Sequence, residues 1–183
     1  MAKGYRYWIC NISWLAKLIY GKSGRDLWRD VYTREIQRQV KSFGKCLRVN
    51  GPSSMNRNTV LGDYCNFNGM QISGSGNCTI GNYFHSGRDC CILTENHNYE
   101  GDEIPYDSTY VTKDVKIGDF VWLGIRVIIL PGTEIGEGAI IQAGSVVHGK
   151  IPPYAIAGGN PAVVFKYRDQ EHFKKLKKMK RFH

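Results

Sequence analysis

Val115-Lys116-Ile117-Gly118-Asp119-Phe120-Val121-Trp122-Leu123-Gly124, carried on by Ile129-Leu130-Pro131-Gly132 and Ile135-Gly136-Glu137-Gly138-Ala139, has an unusual period. From residue 117 an aliphatic side chain returns every six positions, as Ile117, Leu123, Ile129, Ile135, Ile141 and Val147. Four places after each of the first five stands a small or β-branched residue: Val121, Val127, Thr133, Ala139 and Ser145. A helix buries residues at returns of three and four, a half-buried strand at two. Six fits neither. It fits a chain laid along the flat faces of a triangular prism, one hexapeptide per face and three faces per coil. The aliphatic points inward, and Gly118, Gly124 and Gly136 are expected to supply corner conformations that side chains resist. A single coil cannot bury its inner face, so coils must stack, spaced about 4.8 Å apart like strands in a sheet.

The same period runs upstream in Val49, Met55, Leu61 and Phe67, slips at Ser73-Gly74-Ser75-Gly76, and resumes with Ile80, Ser86 and Ile92. Two stretches, about 48–97 and 111–157, therefore carry the repeat. Between them Asn98-Tyr99-Glu100-Gly101-Asp102-Glu103-Ile104-Pro105-Tyr106-Asp107 is polar and acidic and lacks it. A loop leaving the prism over 98–110 is predicted, a setting where functional residues gather.

The first 47 residues read as helical. Trp8, Ile12, Leu15 and Ile19 suggest a short amphipathic helix. Leu27, Val31, Ile36, Val40 and Phe43 form a second stripe, opened by a capping box at Ser23-Gly24-Arg25-Asp26 and stopped by Gly44. Such helices would cap the open end of the prism, where an exposed edge invites aggregation. Interfacial membrane contact through Trp8, Trp14, Lys17 and Lys22 is the alternative. At the far end Ile151-Pro152-Pro153 is expected to break the ladder and Gly158-Gly159-Asn160-Pro161 to turn the chain out. A basic helix from about Asp169 follows, with Phe173, Leu176 and Phe182 to bury. The chain thus divides into a cap at 1–47, a prism at 48–157 and an extension at 158–183.

With 183 residues, 42% hydrophobic and 22% charged, the chain suits one folded domain, neither disordered nor a membrane bundle. Lys and Arg total 25 against 16 acidic residues, a formal +9. Much of that excess is one terminal run, Lys174, Lys175, Lys177, Lys178, Lys180 and Arg181. Nucleic-acid binding would spread basic residues along a face with aromatics among them, so it is not favoured. The six cysteines form no Cys-x-x-Cys pair and no zinc-spaced cluster with histidine. They read as reduced thiols in a cytoplasmic protein, the four inside the repeat (Cys65, Cys78, Cys90 and Cys91) as small core fillers, with no metal site expected.

The repeat from Val115 to Ala139, with the ending Ile151-Pro152-Pro153-Tyr154-Ala155 through Gly158-Gly159-Asn160-Pro161-Ala162, resembles the hexapeptide-repeat acyltransferases over about residues 48–168. Within them it looks closest to O-acetyltransferases of sugars, polysaccharides and antibiotics. The resemblance implies an all-β fold, a left-handed parallel β-helix, assembled as homotrimers with acetyl-CoA in the groove between subunits. It implies direct acetyl transfer from acetyl-CoA to a saccharide hydroxyl, in surface-polysaccharide synthesis. An antibiotic O-acetyltransferase and a non-catalytic β-helix module are the alternatives. The placement would be cytoplasmic, with a peripheral contact at the inner membrane surface left open. Trimeric carbonic anhydrases share the prism but need a close histidine pair, and His85 and His97 stand far apart.

The family's catalytic histidine matches His97, in Thr94-Glu95-Asn96-His97-Asn98-Tyr99. An alcohol attacks a thioester poorly until a base takes its proton, and imidazole, with a reference pKa of about 6.5, suits that task. The resemblance places the oxyanion donor at the Ile125 amide, after Gly124. It places acceptor contacts at Asn68, His85, Asn96 and Tyr99. Gly124, Ile125 and Ala143 would run along the pantetheine arm, Trp122 would flank the thioester or serve as a corner aromatic between subunits, and Lys150, Lys166 or the basic tail would meet the CoA phosphates. The Lys of the family's Thr-Lys pair is displaced here by one, to Lys150 in Val147-His148-Gly149-Lys150-Ile151-Pro152, and the Arg expected near Val163 is absent. No covalent enzyme intermediate is implied, so the cysteines need not take part.

Overall fold

The structure, a computed structural model, describes Gly21 and residues 24–183. The expected helix at Trp8–Ile19, the Ser23 cap and the membrane-contact residues Trp8, Trp14, Lys17 and Lys22 lie outside the described residues.

Three parallel sheets form the sides of a prism. The first face stacks six strands, Ser42–Phe43, Thr59–Leu61, Cys78–Ile80, Val115–Ile117, Glu134–Ile135 and Lys150–Ile151. The second stacks seven, from Arg48–Val49 through Asn66–Phe67, His85–Ser86, Trp122–Leu123 and Ile140–Ile141 to Ala155–Gly159, closed by the antiparallel Ala162–Tyr167. The third holds four, Met70–Ser73, Cys90–Leu93, Ile128–Ile129 and Val146–Val147, extended by a bridge from Ser54 to Gln71. Successive coils keep strict register: Leu123 lies beside Ile141, and Ile129 beside Val147. The chain is therefore a parallel β-helix.

Every aliphatic position of the six-residue period is buried, and so are Val121, Val127, Thr133, Ala139 and Ser145. Two inward residues per hexapeptide, one mid-face and one near the corner, fill a core too narrow for more. Ser86 occupies an aliphatic position and is buried with its hydroxyl lacking a protein partner.

The corners differ from expectation. Gly118, Gly124 and Gly136 are needed for closeness rather than for a special backbone. A Cβ on them would lie 2.8, 2.5 and 2.4 Å from the backbone nitrogens of Glu137, Ala143 and Pro153. Left-handed conformations fall instead on side-chain-bearing residues, including Tyr64, Tyr83, Phe120 and Tyr154, with φ of 58°, 54°, 58° and 63°. Stacking compensates that backbone cost: the Tyr64 and Tyr83 centroids are 4.7 Å apart, those of Tyr83 and Phe120 5.0 Å. One coil further on, Gly138 interrupts the ladder (φ 67°), and a Cβ there would be 3.0 Å from the Phe173 ring.

At the upstream end helix α1 spans Gly24–Gln39, shorter than the predicted stripe. Ile36 is buried, whereas Val31 and Phe43 are exposed. Phe43 belongs to the first strand, which pairs with Val60 and Leu61, so the stack starts before residue 48. The helix also completes hydrogen bonds at the prism's edge: Thr33 Oγ1 accepts from the Val49 amide (3.0 Å) and Gln39 Oε1 from the Met55 amide (2.9 Å). At the downstream end Pro152 and Pro153 turn a corner without ending the stack, because Ala155–Gly159 still pairs with Ile140–Ile141. Helix α2, Gln170–Lys178, is capped by Asp169, whose carboxylate accepts from the His172 amide (2.9 Å). Its Phe173 fills the gap over Gly138, edge-on to both Phe120 and Tyr154.

Candidate active site

The chain leaves the prism between the third and first faces, and side-chain hydrogen bonds fasten the departure. Thr94 is buried; its hydroxyl donates to the Ser73 carbonyl (2.9 Å) and accepts from the Gly76 amide (3.1 Å). Glu95 accepts from the Ser75 amide (2.7 Å) and hydroxyl (2.6 Å), which hold its carboxyl below the usual range. On the returning side, bonds from the Asn77 amide (2.9 Å) and side chain likewise lower Asp114. Between these anchors Glu95–His97 pairs antiparallel with Tyr110–Thr112. Further out, Asp107 accepts from the Thr109 amide (2.8 Å) and hydroxyl (2.5 Å), and these bonds depress its carboxyl.

His97 thus sits on a short rigid ladder and not in a slack loop. Its ring is exposed, stacked on Tyr106 at 3.9 Å and tilted against Tyr110 at 4.7 Å. Asn96, Asn98 and Tyr99 line a cavity of about 200 Å³ closed by Val111, Lys113 and Pro131. His97 is not among that cavity's walls, as strand alternation requires of the residue between Asn96 and Asn98.

The Gly124–Ile125 wall lies at the next corner, between the second and third faces. Ile125 is 48% exposed, Ala143 is exposed, and a Cβ on Gly144 would meet nothing within 4 Å. This is an open, low-relief apolar strip, suited to a long unbranched ligand. Gly87 belongs with it, since a Cβ there would lie 2.5 Å from the Ile125 nitrogen. Trp122, 55% exposed, stands beside this wall on the second face, directly across from His85 in the neighbouring coil. Within one chain the wall and the His97 ladder are at opposite edges of the third face.

The remaining expected residues are dispersed. Asn68 is already used within the stack: its amide donates to the Ser86 carbonyl (2.7 Å) and its oxygen accepts from Asn50 (3.1 Å). Lys150 lies on the first face, 3.1 Å from the Glu134 carboxylate. Lys166 lies on the outer strand of the second, opposite Ile156. Half-buried His85 is pushed below the ordinary imidazole range by burial and by the neighbouring His183 ring, 5.8 Å away. Burial pushes the Cys65 and Cys78 thiols up to about 12, which leaves them unreactive. Among the described residues, no group of three His, Cys, Asp or Glu could hold a metal ion, and no helix is long and apolar enough to cross a membrane.

Sequence reasoning did not single out Thr94 or Glu95 for their anchoring roles, nor Asp114, Gly87, Tyr106, Tyr110 or Gly138 as the seat of the tail. Only Gly87 left a readable signal, as another glycine after a period position, Ser86.

Residues 114–149 match the bacterial transferase hexapeptide family, described as six repeats. A chloramphenicol acetyltransferase from Agrobacterium fabrum is 32% identical over 76% of this chain and 66% of its own length. A galactoside O-acetyltransferase from Lactococcus lactis is 35% identical over 62% of this chain and 54% of its own. The chain therefore spans less than two thirds of the length of these curated relatives. Among solved structures, a galactoside acetyltransferase in complex with coenzyme A superposes with a TM-score of 0.65 at 26% identity, covering 74% of this chain and 70% of that one. A maltose O-acetyltransferase from Clostridium difficile gives 0.61 at 26%, over 90% and 86% of the two chains. The chain belongs to the hexapeptide-repeat acyltransferase superfamily.

Proposed function

We propose that the protein transfers an acetyl group from acetyl-CoA to a hydroxyl of a saccharide, with His97 as the general base. The observation that carries this reading is the anchored ladder that holds an exposed imidazole outside the prism, braced by Tyr106 and Tyr110. Relatives and neighbours named as galactoside and maltose O-acetyltransferases supply the acceptor class.

The steps follow from the chemistry. His97 accepts the hydroxyl proton as the oxygen attacks the thioester carbon. The oxyanion so formed takes a hydrogen bond from the Ile125 amide. Collapse breaks the carbon–sulfur bond, and the imidazolium returns its proton to the departing thiolate. The Ile125, Ala143 and Gly144 strip fits the pantetheine arm, which offers chiefly apolar and amide groups. Because His97 and this strip lie at opposite edges of the third face, His97 of one subunit serves the strip of another. The proposed assembly is a homotrimer with its sites between copies, and the opposite-edge placement supports a shared site.

The test is acetyl transfer from acetyl-CoA to a panel of neutral and acidic glycosides, followed by mass spectrometry. Replacing His97 by Ala should lower turnover by roughly a hundredfold to ten-thousandfold while the calorimetric affinity for CoA holds. Undiminished turnover in the variant would remove His97 from the mechanism. Absence of CoA binding at millimolar concentration would remove the activity itself.

A further inference from the structure

We infer that the cleft between helix α2, the terminal tail and the second face is a binding site for an acidic saccharide. On the reading above it is the acceptor site, and the substrate class narrows to sugars bearing a carboxylate or phosphate.

The cleft encloses about 340 Å³. Its aromatic lining is Tyr83, Phe120, Trp122, Phe173 and Phe182. Phe182 lies 4.6 Å from the Tyr83 ring and 5.1 Å from Phe120, so the tail is seated on the corner ladder. The cleft therefore owes its existence to Gly138, which admits Phe173 and docks the helix.

Phe182 already covers the Tyr83 and Phe120 rings, which leaves the exposed Trp122 indole as the platform for the apolar face of a sugar ring. His85 and His183 face one another across the opening at 5.8 Å. Burial and the neighbouring His183 lower the basicity of half-buried His85, and a neutral imidazole both donates to and accepts from hydroxyls.

The charge of the lining selects the anion. It contains Arg168, Lys177 and Arg181, and among the described residues that line it there is no Asp or Glu. Lys177 is paired behind the wall with Glu137, and the Arg168 guanidinium donates to the Gly138 carbonyl (3.1 Å) beneath Phe173. Arg181 is the cation left to meet a ligand, and a guanidinium matches a carboxylate or phosphate with two parallel bonds. Trp122 is shared between this cleft and the wall assigned to the thioester, so a sugar held here is adjacent to the donor.

The nucleotide end of CoA is also a ring-bearing anion, and the experiment separates the two. Methyl α-D-glucuronide, neutral methyl α-D-glucoside and CoA are each titrated into the full chain by calorimetry. The glucuronide should bind roughly tenfold to a hundredfold more tightly than the glucoside. Arg181→Gln and Phe182→Ala, both surface changes, should each abolish that preference. Equal affinities in the wild type, or a preference surviving both variants, overturns the assignment. A CoA isotherm that weakens in Arg181→Gln, with the sugar preference intact, gives the cleft to the nucleotide and also overturns it. Cleft-dependent glucuronide binding without any acetylated product upholds the cleft and refutes the acetyl-transfer reading instead.

Discussion

Phe173→Ala should undock the terminal helix and leave the prism standing. Helix α2 has 9 residues, below the roughly 12–15 at which an isolated helix becomes even marginally stable in water. Within the helix the anchoring ring is Phe173, 8% exposed, at 5.8 Å from Phe120 and 5.1 Å from Tyr154, while Phe182 seats the tail beyond it. Burial at about 25 cal/mol per Å² over roughly 150–200 Å² of aromatic surface gives about 4–5 kcal/mol. Truncation of a buried Phe typically costs about 3–5 kcal/mol. The Lys177–Glu137 ion pair, partly exposed, adds no more than about 1 kcal/mol. Removal of the ring thus takes away most of the helix's own docking energy, and local opening should rise about a hundredfold to a thousandfold. Hydrogen exchange of amides 170–178 would accelerate to that degree, and trypsin would cut at Lys174 and Lys175 first. Strand amides of the prism should stay protected. Unchanged exchange over 170–178 would show that the helix is held by something other than Phe173.

Three further outcomes can be checked. Asn68→Ala removes two bonds within the stack and should cost about 1–3 kcal/mol in chemical denaturation, while the acceptor KM stays within about twofold; a large rise in KM alone would return Asn68 to the site. Gly87→Ala forces a Cβ to 2.5 Å from the Ile125 nitrogen; an overpacking cost of about 1–3 kcal/mol should lower Tm by roughly 2–12 °C and reduce turnover with it. Glu95, Asp107 and Asp114 all have folded-state pKa values below their ordinary ones. Their bonds therefore add stability above the ordinary carboxylate range and lose it as pH falls through the lowered values. Acidification below about pH 4 should release the His97 ladder before the prism melts, seen as loss of the ring-current shift of His97 against Tyr106. Glu95→Gln with Asp114→Asn should remove the transition.

The inward pattern was legible because it is local arithmetic: six-residue returns need no partner to interpret, and every such residue is buried. What escaped depends on which strands meet. Phe43 fits a helical stripe on sequence spacing, yet pairing with Leu61 takes it into a strand. The glycines after the period positions were correctly seen as obligatory and given the wrong reason, since the collision is with a coil 16 to 20 residues away in most cases and invisible along the chain. Asn96 and His97 read as one constellation until strand alternation sent them to opposite sides. A packed tail helix was legible from Phe173, Leu176 and Phe182, but its seat was not, because the missing side chain of Gly138 is an absence in another coil.

The excursion has a consequence for how such proteins diversify. Asn82 meets Asp119 across 37 positions, where the neighbouring corner bond from Asp63 to Asn82 spans 19. Closing a loop twice as long costs only about 0.6 kcal/mol in chain entropy, and the coils above and below still pair in register. The insertion is therefore nearly free for the scaffold, while it carries the residues assigned to chemistry. Segments of other lengths could be exchanged at this corner, bringing new substrates to an unaltered prism, provided that each keeps a Thr94-like anchor on the way out and an Asp114-like one on the way back.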